Sequence, residues 1–208
     1  MKKIILFDID ATLSDADRRR NLIIRTIQKL AKISKGNARD IYYQVLQKYI
    51  DKVGGLEPNS FSMSLAETLG NKKLTKKFLQ MFAGMRHEKF IFPKTKQVLK
   101  KLAEKYILGI ESTGGHDYQL EKLRSIIHFF DKSYIYILPE KKKKLIKKIK
   151  GFAHNVIIID DRPDFVEYWL KHNLNVIHIN QGIYAQNKDR YKIKRSVNSL
   201  SELIPMLM

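Results

Sequence analysis

Two aspartates, Asp8 and Asp10, directly follow a short apolar run near the start of the chain. The run extends from Lys3 to Phe7 and has the composition of a buried β-strand. In an open α/β sheet, ligands bind just beyond the carboxyl ends of parallel strands, so carboxylates here are placed for chemistry. Carboxylates serve as nucleophiles, proton carriers and ligands of hard cations. Because Asp also favours turns and helix starts, a capping pair is the alternative interpretation.

A second acidic cluster follows a later apolar run. The segment Val156-Ile-Ile-Ile is succeeded by Asp160 and Asp161, and adjacent carboxylates after a buried strand suit a hard cation such as Mg²⁺. Asp164 follows three residues later. It either belongs to the same cluster or caps the helix that runs through Val166.

Several apolar, β-branched runs are expected to position these clusters. Helical stretches separate most of the runs, and the runs show little polar alternation, which is typical of a parallel sheet covered on both faces. The five predicted strands are Lys3 to Phe7, Tyr106 to Ile110, Ser133 to Leu138, Asn155 to Ile159 and Asn175 to Ile179.

An insertion of roughly one hundred residues separates the first two strands, far more than a usual crossover connection. Its apolar residues recur at helical spacing, which predicts two long amphipathic helices, a shorter helix around Ser64 to Leu69 and another from Thr75 to Met85. We therefore predict a helical cap at residues 15–89, inserted into a core domain made of residues 1–14 and 90–208.

The composition restricts the class of protein. The chain has 208 residues, 44% of them hydrophobic, which is enough for one core and a modest insertion. It contains no Cys, which excludes disulfides and thiolate metal sites and favours a reducing compartment. We find no apolar run long enough to cross a membrane and no signal peptide, so a soluble cytoplasmic protein without a membrane partner is expected.

The run Leu6-Phe-Asp-Ile-Asp-Ala-Thr-Leu13 resembles the first motif, hhhDxDxTL, of the haloacid dehalogenase (HAD) superfamily of phosphotransferases. Ala11 stands where the family usually has Gly. The resemblance implies a Rossmann-like α/β core with sheet order 5-4-1-2-3 and helices on both faces. It also implies that the helical insertion is a C1-type cap, which closes over small substrates.

The same resemblance implies roles for the two aspartates of the first motif. Asp8 would be the nucleophile that forms an aspartyl phosphate. Asp10 would be the general acid and base, a task that needs a pKa raised from its usual range. Dehalogenases of similar fold lack the second aspartate and phosphatases carry it, so Asp10 favours phosphoryl transfer.

The segment at the end of the predicted second strand is similar to the second motif of the family. Ser112, at the end of the second strand, matches the Thr or Ser of the second motif. With Thr113, where the family commonly has Asn, and Gly114, it would bind phosphoryl oxygens; a simple turn is the alternative. The adjacent Glu111 is unexpected, since a carboxylate beside a phosphate pocket repels the ligand unless it points away or pairs with a cation.

The resemblance also implies a magnesium site. Its predicted ligands are the side chains of Asp8 and Asp161 and the backbone carbonyl of Asp10, with Asp160 as a ligand or a neighbour of the ligands.

The family also uses a lysine that precedes the fourth strand, and the run Lys141 to Lys144 offers several. Lys142 lies three, four and seven residues before Leu145, Ile146 and Ile149, so it shares their inward helical face. We predict Lys142 as the catalytic and phosphate-binding cation, with Lys141 as the alternative.

The formal charge of +19 indicates an attraction to anions. Arg18, Arg19 and Arg20 either contact a substrate anion or are exposed. The predicted function is magnesium-dependent hydrolysis of a small phosphorylated metabolite. The alternatives are a polynucleotide end phosphatase, a nucleic-acid-binding protein or a sugar phosphomutase, and a lysine-rich solvated surface also explains the charge.

Overall fold

The computed structural model describes residues 2–53, 55–183 and 193–208. Six parallel strands form one sheet in the order β3-β2-β1-β4-β5-β6. The strands are β1 (Ile4–Phe7), β2 (Ile107–Ser112), β3 (Ile135–Ile137), β4 (Val156–Asp160), β5 (Asn175–Ile179) and β6 (Ser196–Val197).

The predicted fold class is confirmed, and the five predicted strands keep their predicted order. The difference in detail is the sixth strand, which pairs with β5 at the sheet edge. Two residues are too few to produce a periodic signal in the sequence, which explains why β6 was not predicted.

Successive side chains of a strand point to opposite faces of the sheet, and each face carries an apolar cluster. On one face, Ile5 and Phe7 pack with Ile157 and Ile159; on the other, Leu6 packs with neighbours that include Ile158 and Trp169. The core helices are α5 (Thr95–Ala103), α6 (His116–Leu123), α7 (Lys141–Ile149), α8 (Pro163–Lys171) and α9 (Leu203–Leu207).

Between β1 and α5 the chain forms helices with an apolar cluster of their own, which includes Ile23, Phe61 and Phe78. Tyr118 of α6 joins this cluster from the sheet side. The division into domains at residues 15 and 89 stays a prediction. The helices are α1 (Ala16–Ala31), α2 (Lys35–Val53), α3 (Pro58–Thr68) and α4 (Leu74–Ala83), followed by a 3₁₀ turn at His87–Phe90.

The two chain segments that join these helices to the sheet run side by side. Asp15 N donates a hydrogen bond to Phe90 O (2.7 Å), and Phe92 N donates one to Leu13 O (3.1 Å). An isolated bridge between Ser14 and Ile91 continues the pairing. The entry to α1 is therefore fixed next to the end of β1.

Among the described residues, none of the helices combines the length and the apolar character needed to cross a bilayer.

Candidate active site

Strand register brings the predicted residues to one edge of the sheet. Phe7 is level with Ile110 of β2 and Ile159 of β4, so the residues that follow these strands meet. Asp8 N donates to Ile159 O (2.9 Å), which fixes the backbone of the first aspartate against β4. The central position of β1 thus determines where the candidate nucleophile lies.

A cavity of about 240 Å³ opens at this edge. Five predicted site residues line it: Asp8, Asp10, Ser112, Thr113 and Asp161. The remaining wall comes from the helical insertion, from α6 and from α8, and it includes the side chains of Arg19, Arg20, Ile23, Tyr42, Leu46, Leu56, Lys122, Arg162 and Phe165.

Two cations that we did not predict as site residues hold the carboxylate of Asp10. Lys122 Nζ of α6 lies 2.5 Å from Oδ2, and Arg19 Nη1 of α1 lies 2.5 Å from Oδ1. The Lys122 and Arg19 side chains are only 5% and 4% exposed, whereas Asp10 is 37% exposed toward the cavity. Arg19 also donates to the Ser14 hydroxyl. This group of Asp10, Lys122 and Arg19, here called the clamp, therefore joins the sheet edge, α6 and the helical insertion.

The clamp reverses the expected direction of the Asp10 pKa. Burial alone raises the pKa of this carboxyl, but the charges and hydrogen bonds of Lys122 and Arg19 outweigh burial and hold the pKa well below its usual range. Burial lowers the pKa of Lys122 to about 8, although the Asp10 charge opposes this change. At neutral pH the group is an ionised carboxylate between two cations.

The loop after β2 forms the part of the cavity predicted to hold phosphate. Ser112 and Thr113 line the cavity, and Gln119 of α6 donates from Nε2 to Thr113 O. Gly114 lies behind them with φ 113°, where an added Cβ would approach Gln119 Nε2 to 2.9 Å. This glycine therefore permits the loop conformation and does not itself line the cavity.

The two acidic residues at the end of β4 have different surroundings. Asp160 is fully buried, and its carboxylate accepts hydrogen bonds from Arg162 N (3.0 Å) and Trp169 Nε1 (3.4 Å). Asp161 lines the cavity, and its carbonyl accepts a hydrogen bond from His178 Nε2 (3.0 Å). Asp160 thus supports the turn and α8, and its role as a ligand or as a neighbour of the ligands stays a prediction.

Asp164 is not the cap of α8, which was the alternative interpretation. Its carboxylate accepts hydrogen bonds from Arg162 Nε (3.1 Å) and Nη2 (2.8 Å). Because Arg162 lines the cavity, Asp164 orients a cation at its rim.

No group of three or more His, Cys, Asp or Glu side chains is arranged to hold a metal among the described residues. Mg²⁺ needs fewer protein ligands than that, because it usually keeps several waters and binds one or two carboxylates together with substrate phosphate. Asp8 and Asp161 supply two carboxylates in one cavity. The carboxylate of Asp10 is bound by Lys122 and Arg19, so the ligand expected from this residue is its backbone carbonyl. This set of oxygen donors fits Mg²⁺.

The predicted Lys142 lies on α7, but its side chain and that of Lys141 lie outside the part of the chain that the structure describes. In the sequence, Lys122 and Arg19 show the same kind of helical spacing to apolar residues that we used to choose Lys142. Lys122 is four residues after Tyr118, and Arg19 is four residues before Ile23, so each shares a face with a buried apolar side chain.

The sequence model of the family described as haloacid dehalogenase-like hydrolase matches residues 5–179. No curated protein matches the chain significantly in sequence.

Three solved structures show the similarity of fold. The HAD-hydrolase YfnB from Bacillus subtilis, described as bound to magnesium, is 18% identical with a TM-score of 0.68, covering 99% of this chain and 98% of that chain. L-2-haloacid dehalogenase from Xanthobacter autotrophicus is 15% identical (TM-score 0.66, covering 100% and 98%). A HAD phosphatase from Thermococcus onnurineus is 20% identical (TM-score 0.63, covering 100% and 98%).

Proposed function

The chain belongs to the haloacid dehalogenase-like hydrolases and is therefore an enzyme, and we propose that it is a magnesium-dependent phosphatase of small phosphomonoesters. Asp8 is the proposed nucleophile and Asp10 the proposed general acid and base. The observation that carries this proposal is the second carboxylate in the Asp8 cavity, held there by Lys122 and Arg19.

The second carboxylate favours phosphoryl transfer over dehalogenation. A leaving alkoxide needs a proton, whereas a leaving halide does not, so a proton donor next to the nucleophile is required only in the first reaction. L-2-haloacid dehalogenase has a similar fold, which makes carbon–halogen hydrolysis the second candidate.

In the proposed reaction, an Asp8 carboxylate oxygen attacks phosphorus and the ester P–O bond breaks. Because Lys122 and Arg19 keep free Asp10 ionised, this carboxyl takes up a proton from solvent when the negatively charged phosphate ester binds beside it, and it passes that proton to the leaving oxygen. In the second half, ionised Asp10 accepts a proton from the water that hydrolyses the aspartyl phosphate. The clamp supports this half because it favours the ionised form.

Ser112, Thr113 and Lys122 are the proposed phosphate-binding groups. The hydroxyls and the N–H groups of the loop donate to phosphoryl oxygens, and Lys122 supplies positive charge from the floor of the cavity. Lys142 remains a proposed second cation. Mg²⁺, if held by Asp8, Asp161 and the Asp10 carbonyl, would neutralise part of the phosphate charge.

The cavity dimensions support a small substrate. A volume of about 240 Å³ is below the usual range for drug-sized ligands, which begins near 300 Å³. Side chains such as Ile23, Tyr42 and Leu46 add apolar surface to the lining of the cavity. The lack of Cys in the sequence supports a cytoplasmic setting.

The test is a phosphate-release screen over small phosphomonoesters, with Mg²⁺ and with EDTA, using wild type, Asp8→Asn and Asp10→Asn. We expect release by wild type with Mg²⁺ and loss of release in both variants. Acid-quenched wild-type enzyme should carry phosphate on the peptide that contains Asp8. Equal release by wild type and Asp8→Asn would overturn the proposal.

Two parallel assays separate the alternatives. Chloride release from 2-chloropropionate without any phosphatase activity would indicate a dehalogenase. Isomerisation of a sugar phosphate without phosphate release would indicate a mutase.

A further inference from the structure

Helix α1 presents two different faces at its start. Arg19, Arg20 and Ile23 face the active-site cavity, whereas Arg18, Leu22 and Arg25 face a second depression. Each set follows the spacing of three and four residues that brings side chains to one side of a helix. The second depression, here called the basic groove, is therefore lined by a different face of α1 from the cavity, although Asp17 belongs to both linings.

The basic groove has a volume of about 930 Å³, much larger than the cavity. Arg18 and Arg25 of α1 stand on one side, and Arg86 and Lys89 stand on the other. The apolar part of its lining comes from the side chains of Leu22, Met81, Met85, Phe90 and Phe92.

Positive charge exceeds negative charge in the basic groove. Its two acidic residues already have partners, because Asp15 accepts from Arg18 N as the cap of α1 and Asp17 pairs with Arg20. Arg86 pairs with Glu88 (2.7 Å). Among the described residues, Arg18, Arg25 and Lys89 take part in no ion pair; the Arg18 guanidinium donates to Lys89 O (3.2 Å).

We propose that the basic groove binds a small polyanion that carries a flat apolar group, with a nucleoside triphosphate as the matching chemistry. Three cations without carboxylate partners attract phosphates, and Arg and Lys are the usual phosphate-binding side chains. The half-buried Phe92 ring and the exposed Leu22 offer an apolar surface for a base, while Phe90 beneath them is buried. The volume admits a ligand that the active-site cavity does not.

This inference does not depend on the proposed phosphatase activity, since no cation of the basic groove contacts Asp8 or Asp10 in the structure. The two linings share Asp17, whose carboxylate pairs with Arg20. The Phe90 ring also lies between the two sides, 5.4 Å from the Arg19 guanidinium and 6.0 Å from that of Arg18.

The test measures binding of ATP, tripolyphosphate and adenosine by calorimetry at about 150 mM salt, where distant surface charges are screened. The Asp8→Asn background prevents turnover. The groove variant is Arg25→Glu with Lys89→Glu, both at exposed positions. The control is Lys48→Glu with Lys100→Glu, which makes the same change in net charge at exposed positions outside the groove lining.

We expect ATP to bind more tightly than tripolyphosphate, and adenosine to bind most weakly. The groove variant should bind ATP about tenfold more weakly than the background, whereas the control should stay within about twofold. Equal losses in both double variants would show attraction by overall charge and would overturn the site. Tripolyphosphate binding as tightly as ATP would overturn the role of the apolar surface, and no binding of ATP would end the proposal.

Discussion

The two faces of helix α1 differ in how they use positive charge. On the cavity side, Arg19 and Arg20 each bind a carboxylate, Asp10 and Asp17 respectively. On the groove side, Arg18 and Arg25 form no ion pair with any residue that the structure describes. Three consecutive arginines therefore have different environments, which shows that a basic run cannot be assigned one role as a block.

The energetic consequences differ in the same way. Removing one partner of a buried ion pair leaves an uncompensated charge and is costly, whereas exposed charges contribute little to stability. On the cavity side the charge left without its partner would be that of Asp10, so substitutions there should change catalysis. Substitutions on the groove side should change only the binding of anions.

The largest expected difference between the two faces concerns the nucleophile. Asp8→Asn should lower kcat by a factor on the order of 10⁴ or more, because no attacking carboxylate remains. The groove variant Arg25→Glu with Lys89→Glu should leave kcat within about twofold, because these exposed charges are away from the reacting atoms. Steady-state phosphate release with one phosphomonoester checks both, and a large loss in the groove variant would break the distinction.

The next largest expected difference is between substitutions of two neighbouring arginines, Arg19 and Arg18. Arg19→Met should lower kcat by about 10- to 100-fold, because Asp10 loses one of the two cations that hold it and part of its acid–base contribution. Arg18→Met removes the same charge from the next position and should change kcat by less than about twofold, since its side chain is exposed. Similar losses in both variants would contradict the assignment of faces.

The pH dependence tests the second cation of the clamp. Below pH 8, Lys122 is charged and holds Asp10; above its pKa of about 8 it loses that charge, so kcat should fall on the alkaline side. Arg stays protonated throughout this range. In Lys122→Arg the alkaline fall should therefore move to higher pH, as measured by kcat between pH 6 and 10. A fall at the same pH in both enzymes would show that another group causes it.

The smallest effect concerns the start of α1, on which both faces depend. Asp15 caps this helix by accepting from Arg18 N (2.8 Å), so Asp15→Ala should lower the free energy of unfolding by about 1 kcal/mol. Asp40→Ala, at an exposed position inside α2, should change it by no more than about 0.5 kcal/mol. Urea unfolding of both variants gives the comparison; equal values would mean that the cap is not stabilising.

The sequence predicted those parts of the site that depend on the sheet. Asp8, Ser112 and Asp161 meet because three neighbouring parallel strands end at one edge, and apolar runs locate such strands well. The sequence did not distinguish the roles of Asp160 and Asp161, which are adjacent at the end of β4. In the structure the Asp160 carboxylate meets Trp169, whereas Asp161 lines the cavity.

The helical contributions could not be predicted in the same way. Periodicity identifies the buried face of α1 or α6, but it does not tell which element that face meets. Lys122 and Arg19 converge on Asp10 only because of how α6 and α1 both dock at the sheet edge. The direction of the Asp10 pKa follows from this docking, so it could not be derived from neighbours in sequence.

The two hydrogen-bonded segments that join the helices to the sheet, at residues 13–15 and 90–92, have a consequence for protein engineering and evolution. Since the chain leaves the sheet and returns to it at almost the same point, the helices between these positions can be exchanged for others without changing any strand. A chimaera that joins this sheet to the helices of another hydrolase would keep the nucleophile of this parent, but the new helices would have to replace Arg19, which holds Asp10 from α1.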